Sequence, residues 1–159
     1  EYYHKLFPEI EDWHRRTQQQ LLATRTLKNL FGEPRIFNGH FDDNTFKSAY
    51  AFVPQSTVGQ ITNYAYTELQ DLCDTGGNEI YPVKSWGFHP LQNNHDSILY
   101  QNYPQFEKET GDLVGLHLAR EMISPIDGTR FRMKTELQVG YNWCPFKKII
   151  NPEGLIEVK

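Results

Sequence analysis

The distribution of apolar and polar positions divides the chain into six elements. Ile10, Trp13, Thr17 and Leu21 fall on one face at helical spacing and predict a helix over 8–24. Pro8 suits its first turn, and Glu9, Glu11 and Asp12 suit the positive end of its dipole. Residues 25–37 carry two short apolar runs around Gly32-Glu33-Pro34, the pattern of a hairpin. A long helical pattern over 45–73 follows, with Val58, Ile61, Tyr64, Ala65, Leu69 and Leu72 in register. Pro54 is expected to break or kink it, because proline lacks an amide donor and crowds the preceding turn. Gly76-Gly77-Asn78 closes that element.

Residues 81–103 read as extended, with the polar corner Asn93-Asn94-His95-Asp96 between apolar flanks, the arrangement of a second hairpin. Helix is expected again over 105–123, strand over 129–143, and a surface-wrapping tail after Cys144. The order helix, hairpin, broken helix, hairpin, helix, strand predicts an α+β fold, its strands clustered into one antiparallel sheet with helices on one side. Two regions are expected, 1–80 and 81–159.

Composition narrows the picture. The chain has 159 residues, of which 14% are aromatic, so a folded core is expected and a charge-dominated disordered segment is not. No run approaches the ~18 apolar residues of a membrane span, and no basic-then-apolar leader opens the sequence. Cys73 and Cys144 lie far apart without CxxC spacing, which fits a reduced, cytoplasmic setting. The chain opens on Glu1 and not Met, as expected of one processed, trimmed or cut from something longer.

The formal charge of −4 hides an uneven distribution. Arg15, Arg16, Arg25, Lys28 and Arg35 form a basic run with Glu33 as its one acid, and Arg130, Arg132, Lys134, Lys147 and Lys148 form another. Local patches of this kind serve phosphate binding whatever the net charge; the plainer alternative is a pair of solvated faces.

The chemistry-bearing feature is His95-Asp96-Ser97 at the second hairpin corner. A carboxylate held between two strands is a good metal ligand, and two-metal phosphoryl transfer uses such groups to hold cations about 3.5–4 Å apart. The alternative is an ordinary turn, which also favours Asn and Asp. Gln55, beside Pro54, is placed to donate to minor-groove acceptors, or else is a common polar residue near a helix start. Asp42 and Asp43 sit in an Asn/Gly-flanked loop and read as solvated.

Taken in order, Tyr3, Phe7-Pro8-Glu9-Ile10 and Trp13; Thr26-Leu27, Leu30-Phe31-Gly32 and Arg35-Ile36-Phe37; Pro54-Gln55-Ser56-Thr57; Leu91-Gln92 and His95-Asp96-Ser97; and Val139-Gly140 with Asn142-Trp143 resemble family A DNA polymerases, the bacterial DNA polymerase I type. The His-Asp-Ser form is similar to the viral, phage-like branch. The resemblance runs through nearly the whole chain. It implies the end of the fingers followed by the C-terminal palm of a DNA-directed DNA polymerase.

On that resemblance Asp96 is the second metal-binding palm aspartate, holding Mg²⁺, and His95 lies against the primer terminus. Gln55 probes the minor groove of the nascent pair, and Lys47 stands roughly where a family arginine contacts the primer strand. Arg35, with Arg25 from the same basic run, is a DNA-binding candidate. Three positions depart from the bacterial pattern: Ala51 replaces an asparagine, Ser97 a glutamate, and Glu33-Pro34-Arg35 an arginine triplet.

The family's first palm aspartate and its nucleotide-binding fingers helix have no counterpart within the sequence. The implied partners are therefore primer-template DNA, a dNTP, and an upstream chain or segment supplying that aspartate. Without it the chain is expected to be catalytically incomplete, to leave a sheet edge unpaired and to aggregate readily. Two other readings stay open. One is a non-catalytic DNA-binding or assembly subunit. The other is a His-Asp metal-dependent phosphohydrolase drawing on His4, His14, His40, His89 or His117, none of which has i, i+4 ligand spacing with another.

Overall fold

The first helix, α1 (Pro8–Thr24), begins with proline in its first turn and acids at Glu9 and Glu11, and it buries Thr17 and Leu21. The computed structural model describes residues 6–124 and 128–158, so Tyr3 and His4 lie outside the described residues. Arg25 ends α1 in the left-handed conformation (φ 55°), its amide donating to the Leu21 carbonyl at 2.8 Å. The chain then turns into the hairpin β1 (Thr26–Lys28) and β2 (Pro34–Ile36), with Leu27 opposite Arg35.

Asn29 organises the hairpin tip. Its Oδ1 accepts the amides of Phe31 and Glu33, each at 3.0 Å, and its Nδ2 donates to Gln60 Oε1 at 2.8 Å. The Leu30 amide donates to Thr57 Oγ1 at 3.3 Å, a second tie to the next helix. Because Asn29 is only 6% exposed, truncating it strands two amides and an amide side chain. Asn29→Ala is expected to cost about 1–3 kcal/mol, read as a lower urea midpoint at unchanged slope.

The next helix, α2 (Asp43–Asp74), is unbroken over 32 residues with Pro54 inside it, so of the expected break or kink the break does not occur. Proline removes one donor, and the hydroxyls beside it serve nearby carbonyls. Ser56 Oγ donates to Phe52 at 2.6 Å and Thr57 Oγ1 to Val53 at 2.7 Å. Asp42 caps the start: its Oδ1 accepts the Thr45 amide at 2.8 Å, and the Thr45 amide and hydroxyl together hold its carboxyl below the usual range. At the other end the Gly77 amide reaches Leu72 and the Gly76 amide reaches Cys73, both glycines at positive φ. A Cβ at Gly77 would lie 2.3 Å from the Tyr81 carbonyl oxygen, so the stop requires glycine.

Two compact units result, one ending at Ile61 and one beginning at Thr62. The division falls inside α2. The reason is packing: Leu69 shares a buried cluster with Val83, Trp86, Phe88, Leu113 and Val114, and Leu72 and Cys73 pack against it. The first unit has its own cluster of Leu21, Leu27, Phe37 and Ala49, ringed by Phe41, Phe46 and Phe52.

In the second unit residues 83–87 form turns, not strand, because Val83, Trp86 and Phe88 all enter one core. The hairpin β3 (His89–Asn93) and β4 (Ile98–Gln101) follows, then a 3₁₀ turn (Pro104–Phe106) and α3 (Glu107–Leu118). Helix was expected to reach 123. Instead β5 (Glu121–Ile123) pairs with β6 (Arg130–Arg132), burying Met122. The expected strand 129–143 is divided into β6 and β7 (Leu137–Val139), and the tail returns as β8 (Ile156–Val158) to pair with β7.

The class is α+β, as the element order predicted. The strands form four separate antiparallel ladders of two strands each among the described residues, not one sheet. No helix of the described residues is long and apolar enough to cross a membrane.

Candidate functional site

The second hairpin builds its corner from four residues. The Asn94 amide donates to the Ser97 carbonyl at 2.9 Å, and the Asp96 amide to the Asn94 carbonyl at 2.6 Å. His95 takes the left-handed conformation (φ 64°), a sparsely populated state for a non-glycine residue. That single residue swings Asp96 to the outside of the bend. The Asp96 side chain is exposed, and among the described residues no ion pair or hydrogen bond engages its carboxylate.

The corner is braced from behind. Gln92 Nε2 donates to Asn94 Oδ1 at 2.6 Å, and Asn93 Nδ2 donates to Asn63 Oδ1 on α2. Asn93 Oδ1 is buried without a hydrogen-bond partner among the described residues.

As a donor set the corner fits one vertex of a magnesium shell. A carboxylate oxygen is the hard ligand Mg²⁺ prefers, and near-octahedral coordination is completed by waters, phosphates and further carboxylates. Among the described residues no group of three His, Cys, Asp or Glu side chains is close enough to hold a metal. Of the histidines weighed for a hydrolase site, His14 stacks on Tyr50 with ring centroids 3.9 Å apart, and His117 Nδ1 meets Glu68 Oε2 at 2.8 Å. His40 and His89 are exposed. Glu68 also accepts from Arg120. Partial burial works to raise the Glu68 carboxyl, but the hydrogen bonds and charges of Arg120 and His117 outweigh it and hold it low.

Beneath the corner, β4 carries Tyr100, whose ring packs on Phe88 with centroids 5.3 Å apart. Burial pushes its phenol up to about 12; a hydrogen bond with Thr110 works the other way, and Glu107 adds to the rise. An unfolded tyrosine ionises near pH 10, so the folded state holds this proton more tightly. The associated stability is whole below about pH 10 and is lost as pH climbs towards 12. Alkaline urea titrations should show the wild type losing stability over that window faster than Tyr100→Phe. Parallel curves would refute this.

The remaining sequence candidates lie in the first unit. Gln55 and Lys47 are both exposed on α2, eight residues apart, with Ala51 midway between them. Arg35 lies over the Phe37 ring at 4.8 Å and the Phe52 ring at 5.6 Å. Arg25 is more fully engaged: it donates to the carbonyls of Phe37 (3.3 Å) and Gly39 (3.0 Å) and lies over Phe41 at 4.7 Å. Both arginines are therefore tied into the aromatic rim of the first core. Of the second basic run, Arg130 bonds Glu121 at 2.7 Å and Arg132 approaches it at 4.0 Å, while Lys147 and Lys148 stay exposed.

The fold adds two features around Val139-Gly140 and Asn142-Trp143, residues noted in the sequence only for their order. Asn142 and Asn151 pair their side-chain amides reciprocally at 2.9 Å, a Cβ on Gly140 would lie 2.7 Å from the Gly154 backbone, and one on Gly154 would lie 2.5 Å from the Cys144 carbonyl oxygen, so the returning tail is locked onto β7. The lock leaves Tyr141 80% exposed and Trp143 largely exposed beside a cleft of about 590 Å³. The available signal was the run Gly140-Tyr141-Asn142-Trp143, in which glycine and asparagine favour a turn and the two aromatics beside them supply apolar surface. Comparison of the chain with protein-family models, curated proteins and solved structures finds no match.

Proposed function

We propose that this chain is the C-terminal part, or a subunit, of a DNA-directed DNA polymerase that needs an upstream partner to act. The observation carrying the proposal is the hairpin corner, where left-handed His95 turns an unpaired Asp96 carboxylate outward between two strands. The ordered resemblance to family A polymerases supports it.

The reaction would join the primer 3′ oxygen to the α-phosphorus of a dNTP and release pyrophosphate. Magnesium, when bound, spreads the charge of the attacking and leaving oxygens. Asp96 would supply one ligand and the partner's aspartate another. His95 would abut the primer end. Exposed Gln55 would donate to the minor-groove acceptors shared by all base pairs, testing shape without reading sequence. Lys47 would face the primer backbone as a phosphate contact, with Arg35 and Arg25 nearby in sequence as weaker candidates because both are held by aromatic rings.

Primer extension with magnesium tests the assignment. The chain alone is expected to add no nucleotides, and addition of an upstream chain carrying the second aspartate and the fingers helix should restore extension. Robust extension by this chain alone would overturn the proposal.

A further inference from the structure

Each of the four ladders among the described residues has only two strands, so every strand keeps one edge whose amides and carbonyls lack a strand partner. Proteins blunt such edges with charge, proline or bulges. Most of these edges are blunted. Here β2 carries Pro34 and Arg35, β3 carries Pro90 and a bulge between Pro90 and Gln92, β5 carries Glu121, β6 carries Arg130 and Arg132, and β8 carries Glu157. The exceptions are β4, Ile-Leu-Tyr-Gln, and β7, Leu-Gln-Val, which have neither charge nor proline.

Both bare strands border the 590 Å³ cleft in the second unit. Its wall includes every residue of β4 in succession, from Ile98 to Gln101. Successive strand residues point to opposite faces, so a wall of consecutive residues is the strand's edge. Leu91, Tyr141 and Trp143 add exposed apolar surface. The charged residues lining the cleft are Glu107 and Glu153, both acidic, both exposed and neither in an ion pair among the described residues.

We infer that this cleft receives an extended segment of a partner polypeptide, which adds as a strand to the bare edge of β4. The segment's side chains are apolar along the wall and basic where Glu107 and Glu153 stand. Four residues of β4 at about 3.4 Å each match an insert of four to six residues. The inference deepens the polymerase reading, on which a sheet edge is left for an upstream segment, and because it assigns the strand no catalytic role, peptide binding and primer extension can fail separately.

The test uses the full chain and a fluorescein-labelled, end-capped heptapeptide, Lys-Val-Thr-Val-Thr-Val-Lys, followed by anisotropy. Saturable binding is expected. The same peptide N-methylated at every backbone amide keeps its side chains but cannot donate, and should bind at least about tenfold more weakly. Leu99→Lys, a charge placed on the bare edge, should weaken binding similarly while leaving the melting curve cooperative. Glu107→Gln with Glu153→Gln should flatten its salt dependence.

Equal affinity for the methylated peptide would reduce the cleft to an apolar adsorption site and overturn the inference. Absence of saturable binding at millimolar peptide would do the same. A dimer in sedimentation that Leu99→Lys dissociates and the peptide cannot displace would make the occupant a second copy, again overturning it.

Discussion

Asp96→Asn is expected to lower nucleotide addition by the proposed polymerase assembly by roughly 10²–10³-fold or more, the scale on which charge-stabilising groups act in transition states. The amide has the shape of the carboxylate and lacks its charge, so it fills the corner without holding a cation. Asp96 is exposed and unpaired, so the folded chain should keep its stability to within about 0.5 kcal/mol. Primer–template affinity should change little, because phosphate contacts fall to basic residues elsewhere. Single-turnover extension at saturating magnesium, with binding measured separately, resolves the two effects. A near-normal rate would take Asp96 out of the mechanism and favour the non-catalytic DNA-binding subunit. A loss of binding that matches the loss of rate would make the corner a DNA contact instead.

Phe88→Ala should have the largest effect on stability, about 3–5 kcal/mol. Phe88 is 1% exposed and belongs to the buried cluster with Leu69, Val83, Trp86, Leu113 and Val114. Its ring packs on Tyr100, and its carbonyl accepts from Cys73 Sγ at 3.4 Å. Removing the ring leaves a cavity between α2, α3 and β4 that the surrounding elements cannot collapse to fill. Domains of this size are stable by only about 5–15 kcal/mol, so the variant approaches unfolding of the second unit. β3 begins at the next residue, so the Asp96 corner should lose its position as well. Urea denaturation followed by tryptophan fluorescence, with Trp86 in the same cluster, reports the change. Ile150→Ala is the matched comparison, because Ile150 is 82% exposed and its truncation should stay within about 0.5 kcal/mol. Equal losses in the two variants would show that the cluster around Phe88 is not the core of this unit.

The helices were the most legible part of the chain, for a reason visible in α1. Its proline, its first-turn acids and its Thr17/Leu21 face are all local, so the bounds 8–24 match the helix that forms. Pro54 shows the limit of the same reasoning. Its cost is local and was counted, whereas the tie from the Leu30 amide to Thr57 beside it comes from another element. The hairpin corner was legible as polar residues between apolar flanks, and Asp42 was legible as an exposed acid but not as the cap of α2.

Arg25 and Arg35 entered the reading as phosphate candidates on charge alone. Only the fold places them over Phe41, Phe37 and Phe52, rings that are two to seventeen positions away in sequence and adjacent in space. Similarly, β5 to β8 are three residues each, too short for periodicity to register, and they exist because distant segments pair.

The amino-acid order by itself determined the α+β class, the helix limits set by local signals, and the position of a lone acid at a bend between two strands. Tertiary structure decided the conformation of His95, the division within α2, the separation of the strands into four ladders, and the bare edges of β4 and β7 beside one cleft. Local backbone preference and side-chain periodicity are encoded within a few residues. Pairing, burial and the edge a strand leaves open depend on which remote segments meet, and that is settled only when the chain folds.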